Sequence, residues 1–159
     1  MMCFAFAGKC VAFGANGPAG VWPANVERID HLAPADHPAF YCASRFTLNV
    51  TRADMIAAGW SPSVRLFEAA ACAAPMISDV WDGLETLLEP GREILLAEDP
   101  QTVLAALTAM PEARRRALGE AGRGKILAAH TAAHRARELE GLLQAAPARR
   151  FEHQLEREP

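Results

Sequence analysis

No uninterrupted apolar run in these 159 residues reaches the roughly 18–20 that a membrane-spanning helix needs, because Pro, Gly, Arg or Asp breaks every candidate. The opening Met1 to Lys9 has no basic stretch ahead of its short apolar one, so no secretory signal is expected. Cysteine is sparse. Cys3, Cys10, Cys42 and Cys72 form no Cys-x-x-Cys pair and have no partnered histidine, which argues against a zinc site and a disulfide framework. Cys42 and Cys72 lie in Ala-rich surroundings, where a free thiol behaves as a small hydrophobe. His31, His37, His130, His134 and His153 keep no metal spacing; His130 and His134 are four apart, without a third ligand nearby. No Gly-x-Ser-x-Gly, P-loop or Gly-x-Gly-x-x-Gly stretch occurs, so acyl transfer, NTP hydrolysis and dinucleotide binding lack their usual signals. Lysine is scarce as well, with 2 against 14 arginines, and alanine fills 33 positions; this reports a GC-rich genome, not a mechanism. The expectation is a soluble, cytoplasmic protein that needs no metal or other cofactor.

What is present is the material of a core. Hydrophobic residues make up 51% and charged residues 22%, at a length that suits one domain. The net charge of −3 is unevenly spread: residues 61–110 carry two positive and eight negative groups, residues 111–159 ten positive and seven negative. The basic C-terminal stretch alternates Arg with Glu and has no interleaved aromatics, so it reads as a solvated helix face and not a nucleic-acid surface.

Short β-rich runs alternate with helical stretches. Strands are expected at Val11–Phe13, Val26–Leu32, Thr47–Val50, Met76–Ser78 and Ile94–Ala97. Helices are expected from Pro34 to about Ala43, from Thr51 or Asp54 to near Gly59, from Pro62 to about Ala73, and at Leu84–Leu88. Three more follow, from Pro100 to Ala109, Pro111 to His130 and Ala132 to Gln144, and residues 147–159 read as a charged tail. Pro75 prevents the third helix from continuing. This spacing argues for an α/β fold: a doubly wound, Rossmann-like parallel sheet of four to five strands with helices on both faces, spanning residues 1–146.

Ligands of such a sheet bind beyond the carboxyl ends of the strands, which selects the loops after Leu32, Val50 and Ser78. The turn Gly59-Trp60-Ser61-Pro62-Ser63 opens a helix whose free amides and dipole favour an anion, with Ser61 as the expected cap and Pro62 first in the helix. Arg65, one turn in, adds positive charge at a phosphate. Glu68, three residues further, offers a carboxylate that accepts a bidentate bond from a ribose diol, and its apolar neighbours predict that it is buried. The same residues also fit an ordinary cap and an ordinary surface ion pair. Arg52, just past the strand carrying Asn49, is placed to reach a phosphate or to stand exposed at a helix end. Glu85, after Trp81-Asp82-Gly83, either faces the same cleft or caps a loop.

The run from Trp22 to Leu95, with "LNVTR" and "SPSVRLFEAAACAAPMISD" as its core, resembles the C-terminal half of CgeB-like glycosyltransferases, and "HTAAHRARELEGLL" resembles their closing helix. The likeness covers about three quarters of the chain. It implies GT-B architecture, two Rossmann-like domains with a donor site between them, and a nucleoside diphosphate sugar as ligand. Glu68 in "FEAAACAAP" matches the glutamate that binds the donor ribose in related retaining enzymes. The second glutamate that those enzymes often carry eight positions earlier is Trp60 here; the glycine after the motif cysteine is Ala73; and the Gly-Gly-x-x-Glu element is echoed by Asp82-Gly83-Leu84-Glu85 without its first glycine. The donor-side residues expected on this reading are Glu68, Arg65, Ser63, Ser61, Arg52, Glu85 and Trp81.

A GT-B enzyme also needs an N-terminal acceptor domain, for which 159 residues leave no room. Trp60 and Trp81, with Leu139, Leu142 and Leu143 of the last helix, are accordingly expected on a face made to meet that domain, with a tendency to self-associate. The alternative reading is a non-catalytic nucleotide-binding or interaction module left after loss of the N-terminal domain.

Overall fold

The computed structural model describes residues 3–6, 10–13, 26–29, 31–60 and 62–146. In chain order these form β1 (Cys3–Phe6), β2 (Cys10–Phe13), β3 (Val26–Ile29), a 3-10 turn (Pro34–Asp36) leading into α1 (His37–Ala43), β4 (Thr47–Asn49), α2 (Ala53–Ala58) and α3 (Val64–Ala71). Then come β5 (Met76–Ser78), α4 (Leu84–Leu87), β6 (Leu95–Leu96), α5 (Pro100–Ala109), α6 (Glu112–Ala129) and α7 (Ala132–Ala145). The strands make one sheet in the order β3-β2-β1-β4-β5-β6. Pairing is parallel between β2 and β3 and along β4, β5 and β6, whereas β1 is antiparallel to both β2 and β4.

Five strands therefore point one way, and they are the five that the sequence announces. The sheet has six strands and not four or five because Cys3–Phe6 joins it against the common direction. Four apolar residues with neither alternation nor turn signal carry no strand signature of their own; pairing with β2, from Cys3–Phe13 to Phe6–Cys10, is what makes them one. The Val26 strand stops at Ile29 and does not reach Leu32. The expected tail, 147–159, lies outside the described residues.

β5 lies between β4 and β6 and is buried along its whole length, as a short apolar strand of a covered parallel sheet should be. Leu66, Ala69 and Ala70 of α3, Tyr41 of α1, Met76, Trp81, Leu84, Leu88, Ile94 and Ile126 of α6 form the core beside it.

α6 lies antiparallel on α3. Gly119 faces the end of α3, Gly122 faces Ala70 in its middle, and the His130 ring reaches Phe67, with ring centroids 6.2 Å apart. A Cβ on Gly119 would sit 2.2 Å from the Ala73 carbonyl oxygen, and one on Gly122 would sit 2.9 Å from that of Glu93, so both glycines permit backbone contact. The end of α3 is closed by backbone bonds, Ala74 N–H to Ala69 at 3.0 Å and Ala73 N–H to Ala70 at 2.9 Å, with Ala73 in the left-handed region at φ 55°. Arg123 of α6 adds a donor, its Nε 3.2 Å from the Ala71 carbonyl.

Helix capping departs from expectation at α3. The cap is Ser63, whose Oγ accepts from Arg65 N–H at 3.3 Å, and the helix starts at Val64; Pro62 stands outside it, and Ser61 is outside the described residues. Pro62-Ser63 gives extended backbone before the first helical residue, so the second serine takes the role expected of the first. Asp99 caps α5, accepting from Thr102 N–H at 2.7 Å. α7 buries none of its residues, and Leu139, Leu142 and Leu143 are exposed.

Candidate functional site

The parallel strands β4 and β5 end side by side, Asn49 paired with Ser78. Both buried strands thus finish on a polar residue, and a hydrogen-bonded network starts there. Arg65 of α3 is buried, with 4% of its surface exposed, and its Nη1 donates to Asn49 Oδ1 at 3.1 Å. Asn49 Nδ2 in turn donates to Ser78 Oγ at 3.0 Å. Ser78 donates to Asp79 at 3.3 Å, and Asp79 also accepts from the backbone N–H and the hydroxyl of Thr51, each at 2.7 Å. A buried guanidinium held this way is a fixed positive charge under the helix start, not a mobile one reaching outward.

Glu68 lies one turn further along α3. Its Oε2 is 3.2 Å from His37 Nδ1 of α1, while His37 Nε2 is 3.2 Å from the Leu32 carbonyl. The Glu68 side chain is 40% exposed, against the expectation that it is buried; the apolar neighbours that suggested burial lie on the other faces of α3, and Arg65 takes the buried place instead.

The two loops flanking this end meet at Trp60. Trp60, at φ 50°, donates its N–H to the Asp82 carbonyl at 3.0 Å, and its indole lies against Gly83, where a Cβ would approach the ring to 2.6 Å. Trp60 is 68% exposed. Trp81 behaves otherwise. Expected at the donor cleft, it is 5% exposed and packs in the core with Leu84 and Tyr41, because the turn after β5 directs residue 81 inward and Gly83 outward toward Trp60. Arg52 caps the start of α2 with its backbone, its side chain exposed and 3.8 Å from Asp54. Glu85 is exposed in the first turn of α4.

Residues 3–141 match the family described as glycosyl transferase-like. The chain belongs to that family. No curated protein matches it in sequence. Among solved structures it resembles sucrose-phosphate synthase from Thermosynechococcus elongatus, at 21% identity and a TM-score of 0.60 over 76% of this chain and 30% of that one. It also resembles HepE from Anabaena, solved in complex with UDP-glucose, at 13% identity and a TM-score of 0.61 over 77% and 33%. A third likeness is to the N-terminal domain of trehalose-6-phosphate phosphatase from Candida albicans, at 14% identity and a TM-score of 0.55 over 78% and 28%. These are likenesses of fold, and the chain spans about a third of the length of each of these structures.

In this glycosyl transferase-like chain the sequence therefore locates α3 and its start, and the structure brings Arg65, Ser63 and Glu68 to one end of it. Arg52 and Glu85 stand in neighbouring loops. Reading the residues singly misses His37, Thr51, Ser78 and Asp79. The signal that finds three of them is the polar ending of two neighbouring strands; His37 reaches Glu68 only through the packing of α1 on α3. Among the described residues no helix is long and apolar enough to cross a membrane.

Proposed function

We propose that the chain is the donor-binding domain of a CgeB-like glycosyltransferase of GT-B architecture, holding a nucleoside diphosphate sugar for transfer to an acceptor bound by a separate N-terminal domain. The observation that carries this reading is Glu68: a half-exposed carboxylate on α3, one oxygen held by His37 and, among the described residues, no partner for the other. Orienting one oxygen prepares the carboxylate to accept a ribose hydroxyl without first searching for its geometry. Ser63 and the first amides of α3 face the diphosphate, Arg65 supplies a fixed positive field beneath them, and Ser61 is assigned to the same ligand from the sequence. Arg52 and Glu85 complete the rim. Trp60 and the leucines of α7 belong to the face assigned to the acceptor domain, and to self-association where that domain is missing.

Calorimetry with UDP, GDP and their sugars tests the reading. A saturable nucleoside diphosphate signal is expected, and Glu68→Ala should weaken it by roughly ten- to hundredfold, the worth of one charged hydrogen bond, while the chain stays folded with only the small loss of melting temperature that the His37 contact accounts for. Equal affinity of the variant would remove the ribose role. Silence across the whole panel would favour a non-catalytic interaction module.

A further inference from the structure

We propose that Cys42 and Cys72 form a reversible dithiol–disulfide couple, an oxidative modification site at the end of α1 and α3 remote from the network under Arg65. Thirty residues apart in sequence, the two cysteines share no spacing motif, and only the packing of α1 on α3 brings them together. Cys42 Sγ lies 3.8 Å from the Cys72 carbonyl oxygen, which places this sulfur against the backbone of its partner. Both residues line one open pocket beside Arg45 and Arg115, so a small oxidant reaches them from solvent. Their exposure differs: Cys42 is exposed and Cys72 half-buried.

That difference gives the pair an order of reaction. Burial first, then the neighbouring Cys42 thiol and the Glu68 carboxylate, push the Cys72 thiol above its ordinary range, so it stays protonated and inert until an adjacent electrophile appears. Cys42 meets the oxidant. With a hydroperoxide such as hydrogen peroxide, the Cys42 sulfur attacks one oxygen, the O–O bond breaks, and Cys42 becomes a sulfenic acid as one water leaves. Cys72 then attacks the Cys42 sulfur, the S–S bond forms, the S–O bond breaks, and the departing oxygen leaves as a second water after taking the Cys72 proton. Two thiols and one peroxide thus give one disulfide and two waters, and an external dithiol reverses the step. The bond joins α1 to α3 at their C-terminal ends, one turn beyond Glu68 on α3, whose contact with His37 already links the two helices.

Cys3 and Cys10 are potential rival thiols, so the test uses the full chain and a Cys3→Ser/Cys10→Ser version of it. Each is reduced, exposed to graded hydrogen peroxide, alkylated under denaturing conditions and mapped by peptide mass. The expected product is a peptide linked through Cys42 and Cys72, formed in both chains and lost on treatment with dithiothreitol. The oxidised chain should melt several degrees higher, since the link restricts the unfolded state. In Cys72→Ser, Cys42 should run on to sulfinic acid at peroxide levels that leave it cross-linked in the parent. The proposal falls if Cys42 overoxidises in the parent while Cys72 remains alkylatable, or if Cys42 links to another cysteine in preference.

Discussion

At its first turn α3 buries a charged side chain and supports it with other side chains, Arg65 on Asn49 and Asn49 on Ser78; at its last turn it is sealed by backbone, with Ala73 and Ala74 folding back on Ala70 and Ala69 and Gly119 of α6 pressed against the Ala73 carbonyl. The two ends spend the same helix on different tasks. At the sealed end Gly119 tolerates no Cβ, because the Ala73 carbonyl oxygen would lie 2.2 Å from it. The polar end is satisfied bond by bond, and the half-exposed carboxylate of Glu68, one turn further, is turned toward His37 and solvent. A helix fixed rigidly at one end can present chemistry at the other without drifting.

Breaking the sealed end should give the largest effect. Gly119→Ala places a methyl 2.2 Å from the Ala73 carbonyl oxygen, backbone that has no rotamer to yield. The expected loss is about 3 kcal/mol, at the upper end for overpacking, and chemical denaturation measures it. Gly124→Ala on the same helix is the control: nothing lies within 4 Å of its Cβ, so the better helix propensity should instead stabilise by about 0.5–1 kcal/mol. Equal effects from the two variants would mean that α6 does not rest on Ala73.

At the polar end, Asn49→Ala removes the acceptor of a buried guanidinium and the donor to Ser78. About 2 kcal/mol should be lost, since a charged group left without this partner keeps its desolvation cost. Arg65→Ala should likewise lower the melting temperature, so its effect on nucleotide binding is separable from folding only by titration well below the melting range. A variant of Asn49 as stable as the parent would show that the network is dispensable.

How much of this was visible in the sequence differs between the two ends. Ser-Pro-Ser ahead of an apolar stretch marks the polar end, and Glu68 and Arg65 are found by counting along the helix. The exchange of Ser61 for Ser63 as cap lies within the uncertainty that neighbouring serines create, since both are competent acceptors. The sealed end was not legible. Gly119 and Gly122 read as ordinary positions in a long helix, and their purpose depends on a surface that folds from residues about fifty positions earlier. Trp81 was misplaced for a related reason: an aromatic in a loop has no periodicity to show which way it turns, and only the burial of its neighbours settles it. β1 required a partner strand before it became a strand at all.

The sealed end can be improved as well as broken. Ala73 occupies the left-handed position of the cap, where its Cβ crowds the backbone and glycine is at ease. Ala73→Gly removes that strain at the cost of a freer unfolded chain, for a net gain of about 0.5–1 kcal/mol. The resemblance noted above places a glycine at this position. A destabilised variant would mean that the methyl of Ala73 makes packing contacts worth more than the strain.

The smallest effect is expected where the two helices meet at the far end of α6, and it depends on pH. His130 closes that helix beside Phe67 of α3, and both its ring nitrogens are buried with no hydrogen-bond partner among the described residues. Burial holds its pKa below the ordinary histidine value, and the positive charges of Arg135, Lys125 and His134 push the same way against the single opposing carboxylate of Glu93. The folded chain therefore prefers the neutral ring, and the unfolded chain takes up the proton more readily. Stability from this site is complete above the unfolded value of about 6.5 and is lost as pH falls from there through the depressed folded value. Melting curves of the parent and of His130→Leu between pH 8 and pH 5 isolate the contribution, because every other titrating group is common to both. The parent should lose more stability than the variant across that interval, most of it below pH 6.5. Parallel curves would show that the ring takes up its proton in the folded chain as easily as in the unfolded one, and that the contact with Phe67 leaves room for its charge.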